Sequence, residues 1–447
     1  MLRPAGALAG QRGIVSEQRY LMLDMQLFCL PEEIQLRDFL LATYYMKLSR
    51  DTDVMGKATK FAVGQTVGTW VKIPGITNEM QERYMGRVIR ILDCPPCELS
   101  TQRKEDEISY FIQLAFPSEN IGEGLPGLLT MLLGNDASTS SQAKLVDLQF
   151  TDRMLDSFCG PKFGIEGIRS ITGVYGRPLL LSMIKPCTGI TPKQGAEIFY
   201  KAAKGGLDII KDDELLGSTV FSRPADRVRA YQKASKAAFE ETGKQSLYAV
   251  NITDGASRVL DNLNAVLDAG AQAIMINFAA VGYSVVQEVA EKCPVPILGH
   301  CAGAGMFYEG IESGMSSPIA AARLPRLSGI DMQVVNTPYG GYPLEYSKYI
   351  RQIHELVLPL RSIRPCMPVI GGGVHPGTVW RYVQENGMDM ILGAGGAIHG
   401  HPMGPTAGAT AMRQAVQAVV DGLSPGDAAN QYQELRAAFK AFGYPEK

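Results

Sequence analysis

From residue 178 onward, short apolar, β-rich runs alternate with amphipathic stretches of helical period, as in a parallel sheet wound with helices. Eight such runs occur, at 178–187, 207–214, 245–253, 271–281, 295–302, 331–339, 366–374 and 389–398. Eight parallel strands predict a closed (β/α)8 barrel. The helices between them carry their own punctuation. Thr191 precedes a run from Pro192 to Lys204 that stops at Gly205-Gly206, and Arg223-Pro224 opens a long basic stretch closing at Gly243. Further helical runs lie at 256–269, 344–360, 377–386 and 407–421. The preceding segment does not keep this beat. Strand-like and helical pieces mix at 21–31, 61–73, 82–92 and 108–116, which predicts a separate, smaller α+β domain of ferredoxin-like type. The expected division is 14–155 and 156–447, with the boundary between 147 and 168. Residues 1–13 lack the apolar core of a secretory signal and read as a disordered leader.

A chain of 447 residues accommodates such a two-domain plan. Its 43 basic and 45 acidic residues leave a net charge of -2, which disfavours nucleic acid or an anionic membrane as the main partner. No apolar run is long enough to span a bilayer. Eight scattered cysteines fit a reducing cytoplasm, the expected location. Cys94-Pro95-Pro96-Cys97 has redox-motif spacing but no second pair, and a plain turn is the favoured reading.

Barrels of this kind place their chemistry at the C-terminal ends of the strands. Those ends carry Lys185, Lys211-Asp212-Asp213-Glu214, Asn251, Asn277, His300, Asn336-Thr337, Gly371 to His375, and Gly395-Gly396. On a strand, Lys211 and Asp213 point the same way, with Glu214 turning in as the strand gives way to loop. Read alone, this run is either a solvated acidic turn or a Mg2+ site of hard oxygen ligands, the latter once CO2 has converted the lysine amine to a carbamate. His300 is either a packed rim histidine or a group that orients substrate oxygens or carries a proton. His375 and His399 flank glycine loops, with phosphate positioning and helix-start packing equally open; His401 reads as structural, and His354 lies on an outer helix.

The motif at 205–214 resembles the carbamylated-lysine site of the RuBisCO superfamily. The surrounding order resembles it too: Ile184-Lys185-Pro186, Asn251-Ile252-Thr253, Gly371-Gly372-Gly373-Val374-His375, Gly395-Gly396 and Gly400-His401-Pro402, with Gly68-Thr69-Trp70 and Gly134-Asn135 in the N-terminal part. The resemblance covers about residues 20–425. It implies Mg2+ held by carbamylated Lys211, Asp213 and Glu214, one ion per site, with Lys185 as a proton-transfer lysine. It implies a phosphate cradle from Thr69, Gly372, Gly373, Gly395 and Gly396. Asn135 matches a residue reaching the site from a neighbouring subunit, so a homodimer with shared sites, or a higher oligomer, is expected.

Departures from the carboxylase pattern narrow the expected function. Cys187 stands where a second lysine is expected, and His300-Cys301 replaces histidine-arginine. Val334 occupies a histidine position, and the acidic residue expected before Trp70 falls near Gly64. The loop 336–342, Asn-Thr-Pro-Tyr-Gly-Gly-Tyr, has no lysine. A second substrate phosphate would lack charged partners, and burying it unpaired is costly. The expectation is a RuBisCO-like protein that keeps enolate chemistry on a phosphorylated keto-sugar acid without fixing CO2. Because Asn135 stands where the salvage enolase has a lysine base, decarboxylation of 3-oxo-isoapionate 4-phosphate is the leading reading. The alternatives are the 2,3-diketo-5-methylthiopentyl-1-phosphate enolase or the methylthioribulose-phosphate isomerase of methionine salvage, or a non-catalytic regulator.

Overall fold

The computed structural model describes residues 27–34, 38–68, 73–99, 106–122 and 124–444. Two compact units emerge, one of Met1–Ser157 with Phe307–Ser316, the other of Phe158–Met306 with Ser317–Lys447. The first unit holds a four-stranded antiparallel sheet of β1 (Phe39–Ser49), β2 (Arg87–Cys94), β3 (Glu107–Pro117) and β4 (Lys144–Gln149), in the order β2-β3-β1-β4. With helices Val54–Gly64 and Leu125–Leu133 in the two crossovers, this is the ferredoxin-like βαββαβ arrangement. Central β1 pairs with β3 along its whole length, and its alternate residues Leu40, Ala42, Tyr44 and Met46 are fully buried. Helix Val54–Gly64 is capped by Asp53, whose carboxylate accepts the Gly56 N–H at 2.9 Å.

In the second unit eight parallel strands close into a barrel: β5 (Leu179–Met183), β6 (Ile209–Lys211), β7 (Leu247–Asn251), β8 (Ala273–Asn277), β9 (Ile297–His300), β10 (Met332–Asn336), β11 (Met367–Gly371) and β12 (Ile391–Gly393). The fold is thus the (β/α)8 barrel with a smaller α+β domain. Alternate strand residues fill its centre, among them Leu179 and Leu181, Leu247 and Ala249, Ala273 and Met275, Met332 and Val334, Met367 and Val369. Alternation puts one set in the barrel and the other under the helices, so the strands read mainly apolar, with Gln333 buried in β10 and Lys211 and Asn251 at the ends of β6 and β7. Helix Pro192–Lys204 begins with the Thr191–Gln194 capping box, and Gly205 closes it. The strands are shorter than their apolar runs. β5 stops two residues before Lys185 and β6 stops at Lys211, so Asp213 and Glu214 sit in the turn after the strand.

Helix Gly164–Thr172 plugs the N-terminal end of the barrel, with Ile168 in the core. Asp331, at the start of β10, fastens it. Its Oδ1 accepts the N–H of Phe163 at 2.6 Å and of Gly164 at 3.0 Å, while Oδ2 accepts that of Ile297 at 3.0 Å. No helix among the described residues is long and apolar enough to cross a membrane. Replacing Asp331 with Ala removes three acceptor contacts from buried N–H groups, and the expected loss is about 2–5 kcal/mol by urea denaturation. A loss under about 0.5 kcal/mol would refute this role for the carboxylate.

Candidate active site

The C-terminal ends of the strands surround a cavity of about 410 Å³. Its lining includes the polar residues Lys185, Lys211, Glu214 and His300, the glycines Gly371, Gly372, Gly373, Gly395 and Gly396, and the apolar Leu181, Met183, Val334, Val369 and Phe442. Sequence-predicted residues from the ends of five strands therefore meet in one place. Asn135 lies in the other unit, exposed, just before a helical turn at Asp136–Ser140. Thr69 falls outside the described residues.

Lys211 ends β6 and is 1 % exposed. Its Nζ donates to the Asp212 carbonyl at 2.9 Å and reaches Glu214 Oε2 at 3.5 Å. Burial lowers its pKa, and the charges of Glu214 and Asp213 offset this only in part. The amine is thereby biased toward the neutral, nucleophilic form. Lys185 Nζ donates to Asp213 Oδ2 at 2.6 Å and to Cys187 Sγ at 3.0 Å. Burial pulls its pKa down, but the bonds to Asp213 and Cys187 and the Asp213 charge outweigh that and raise it. A lowered value would need a cation nearby; among the protein groups alone the direction is up.

His300 has Nε2 3.3 Å from Glu214 Oε2, while the Ala302 N–H donates to its Nδ1 at 3.1 Å. Burial, aided by the Lys211 charge, holds its pKa well below the usual histidine value. The neutral ring is therefore assigned its proton on Nε2, facing Glu214, which makes it a donor rather than a base. Asn251 and Asn277 turn away from the cavity. Their Nδ2 groups donate to the Glu214 carbonyl at 3.1 and 3.0 Å and so hold the turn that presents the two acids.

Asp212, within the same motif, faces the opposite way. Both it and Arg227 are fully buried, with Arg227 Nε 2.9 Å from Asp212 Oδ2. Tyr248 Oη donates to Oδ1 at 2.7 Å and the Asn251 N–H donates to Oδ2 at 2.9 Å. The rest of the Arg227 guanidinium binds the carbonyls of Leu216, Gly217, Ser222 and Asn251. Sequence reasoning did not find Arg227, because one buried arginine in a basic helical stretch looks like its solvated neighbours.

Other expectations sort cleanly. Gly395 packs so tightly that a Cβ would collide with the Met183 side chain, and Gly373 has φ +105° against Gly340. His399 Nε2 lies 3.0 Å from the Met183 carbonyl, and His401 Nε2 lies 3.0 Å from that of Glu434, so both serve packing. His375 lines the cavity, and its buried Nδ1 has no hydrogen-bond partner among the described residues. Cys301 is half-buried, its thiol pushed up to about 11 by desolvation, which disfavours the reactive thiolate.

Asp213 and Glu214 supply two carboxylates, and among the described residues no group of three His, Cys, Asp or Glu side chains could hold a metal ion. A carbamate on Lys211 would add the third hard oxygen group, so the residues fit Mg2+ in that form.

A (β/α)8 enzyme with a lysine-acid cluster at the C-terminal rim and a glycine-lined wall is the class these features define. The chain matches the family models for the ribulose bisphosphate carboxylase large chain, in its catalytic domain over residues 164–442 and its N-terminal domain over 33–154. It is 38 % identical over 416 residues to the ribulose bisphosphate carboxylase-like protein of Archaeoglobus fulgidus, covering 92 % of this chain and 95 % of the relative. A 2,3-diketo-5-methylthiopentyl-1-phosphate enolase of Bacillus pumilus is 35 % identical over 407 residues, covering 90 % and 98 %. Among solved structures, a rubisco-like protein from Alicyclobacillus acidocaldarius aligns with TM-score 0.84 and 33 % identity, covering 91 % of this chain and all of that one. The chain belongs to the RuBisCO large-chain family, as a RuBisCO-like enzyme.

Removing the guanidinium with Arg227→Met leaves the Asp212 charge buried and unmatched. The expected cost is about 3–5 kcal/mol in urea denaturation. A change below about 1 kcal/mol would show that Asp212 does not depend on Arg227.

Proposed function

We propose that this enzyme enolises a phosphorylated diketone of the 2,3-diketo-5-methylthiopentyl 1-phosphate type. The supporting observation is the mixed lining of the cavity, in which charged residues and glycines occur together with apolar Leu181, Met183, Val334, Val369 and Phe442. A substrate with one phosphate and an apolar tail suits that lining. A branched sugar acid would set hydroxyl groups against its apolar residues, and unpaired burial of those groups is unfavourable. The similarity to the Bacillus pumilus enolase supports the same choice. This reading displaces decarboxylation of 3-oxo-isoapionate 4-phosphate, whose main warrant was Asn135 in place of a lysine base.

Magnesium held by carbamylated Lys211, Asp213 and Glu214 would supply the Lewis acid that stabilises a developing enolate oxygen. Lys211 is suited to carbamylation because its buried amine is biased toward neutrality. Lys185 is the proton carrier, and its protonation is set by Asp213, its closest partner at 2.6 Å. Neutral His300 directs its Nε2–H into the site and orients a substrate oxygen. Gly372, Gly373, Gly395 and Gly396 allow a phosphate to approach the backbone closely. The proposal includes Thr69 in that cradle and a homodimer whose sites are shared through Asn135.

The test is incubation of the enzyme, Mg2+ and bicarbonate with 2,3-diketo-5-methylthiopentyl 1-phosphate in deuterated water. Formation of the enol with solvent exchange at the carbon next to the carbonyl is expected, and Lys211→Ala should slow it on the order of 100-fold or more. Release of CO2 from 3-oxo-isoapionate 4-phosphate, with no exchange on the diketone, would overturn the reading in favour of decarboxylation.

A further inference from the structure

A second cavity, of about 260 Å³, opens on the opposite, N-terminal end of the barrel. Arg177, Lys204, Lys244 and Arg413 line it together with Thr410 and Tyr432. These cations come from separate elements. Arg177 precedes β5, Lys204 ends helix Pro192–Lys204, Lys244 follows helix Pro224–Thr242, and Arg413 lies on helix Pro405–Val420.

The carboxylate at their centre, Asp208, is already committed. Arg177 Nη1 and Nη2 grip its two oxygens at 2.7 Å each, and the Leu180 N–H donates to Oδ2 at 2.8 Å. Arg413 reaches Asp208 only at 3.6 Å and gives one donor to the Gly206 carbonyl at 3.2 Å. Lys204 is matched by Glu241 at 2.6 Å. Lys244 has no carboxylate within ion-pair distance among the described residues, and it lies beside Arg413 over Gly206. The charges that act on Lys244 besides Asp208 are Arg413 and Arg177, both repulsive. Gln414 and Gln417 turn their amides onto Glu434 and Asp421, which keeps those acids engaged at the cavity's margin.

A purely structural network would need one cation for Asp208, and Arg177 fills that need. Arg413 is half-buried and Lys244 is exposed at the mouth of the cavity, and the mutual repulsion of these two further cations would be relieved by an anion joining them. The cavity is near the lower end of the size range of small-molecule sites, which suits a compact ligand. We propose that it binds a small phosphate monoester, whose dianion would bridge Lys244 and Arg413 with Lys204 at the edge. The inference is independent of the reaction assigned to the other face.

The experiment is lysine footprinting of the full chain by acetylation and mass spectrometry, with and without glycerol 3-phosphate, using glycerol plus sodium chloride of matched ionic strength as the control. Lys233 and Lys236, exposed on helix Pro224–Thr242, serve as internal references. At ligand about ten times its dissociation constant, mass action predicts about tenfold slower acetylation of Lys244, with Lys233 and Lys236 unchanged. In Arg413→Gln that protection should be lost. The proposal is overturned if Lys244 in the wild-type protein slows no more than the reference lysines, and equally if folded Arg413→Gln keeps the full protection. Should the variant not fold, the wild-type footprint decides alone.

Discussion

The buried Asp212–Arg227 pair fixes the position of everything chemical at the rim of the barrel. A carboxylate with no solvent access cannot remain charged without strong partners, and here Arg227, Tyr248 and the Asn251 N–H all converge on it. Because Asp212 is turned into the protein, its neighbours Lys211 and Asp213 are turned toward the other side. Arg227 then binds four loop carbonyls, so the turn after β6 has little freedom to drift. The net stability of such a pair is modest, since desolvation offsets much of the attraction. Its value lies in geometry: a motif of three consecutive acids splits into one anchor and two presented groups.

That division bears on how much of the site could be read in advance. The barrel was legible because its strands obey a simple rule, apolar runs of strand length separated by capped helices, repeated eight times. The rim residues Lys185, Lys211, Asp213, Glu214 and His300 were legible because charged or polar groups at the end of an apolar strand stand out. Strand β1 was not recognised, although it is the centre of its sheet. The sequence at 39–49 is so apolar that neither helical nor strand period prevails, and the assignment comes only from its pairing with β3 and β4. Asp213 was expected on the strand but sits with Glu214 in the turn after it, because the apolar run extends past the last ladder hydrogen bond.

The substrate was harder to read for a related reason. Its best indicators are apolar: Val334 at a histidine position, with Leu181, Met183, Val369 and Phe442 around it. In a sequence such residues are indistinguishable from core, since a barrel strand buried on both faces is apolar at every position. Leu181, Val334 and Val369 in fact belong to the barrel core while also facing the cavity. Asn135, by contrast, is a polar departure that stands out in the sequence. The loop at 336–342 contains no lysine, and its Tyr342 lines the cavity.

Asp213 connects the electrostatics of the site to its chemistry. It is 1 % exposed, so its charge is costly to leave unpaired, and Lys185 neutralises it at 2.6 Å. The same carboxylate is one of the groups expected to hold a cation, and it cannot neutralise two positive partners as fully as one. Whatever draws Asp213 away from Lys185 also removes the main influence that raises the lysine pKa, leaving burial to act in the opposite direction. The proton affinity of Lys185 is thus coupled to the state of the acid pair through the Asp213 carboxylate they share. An enolisation needs a group that is basic when the substrate proton leaves and acidic when it returns. A lysine whose counter-ion is shared in this way would suit the proton-carrying role proposed for Lys185.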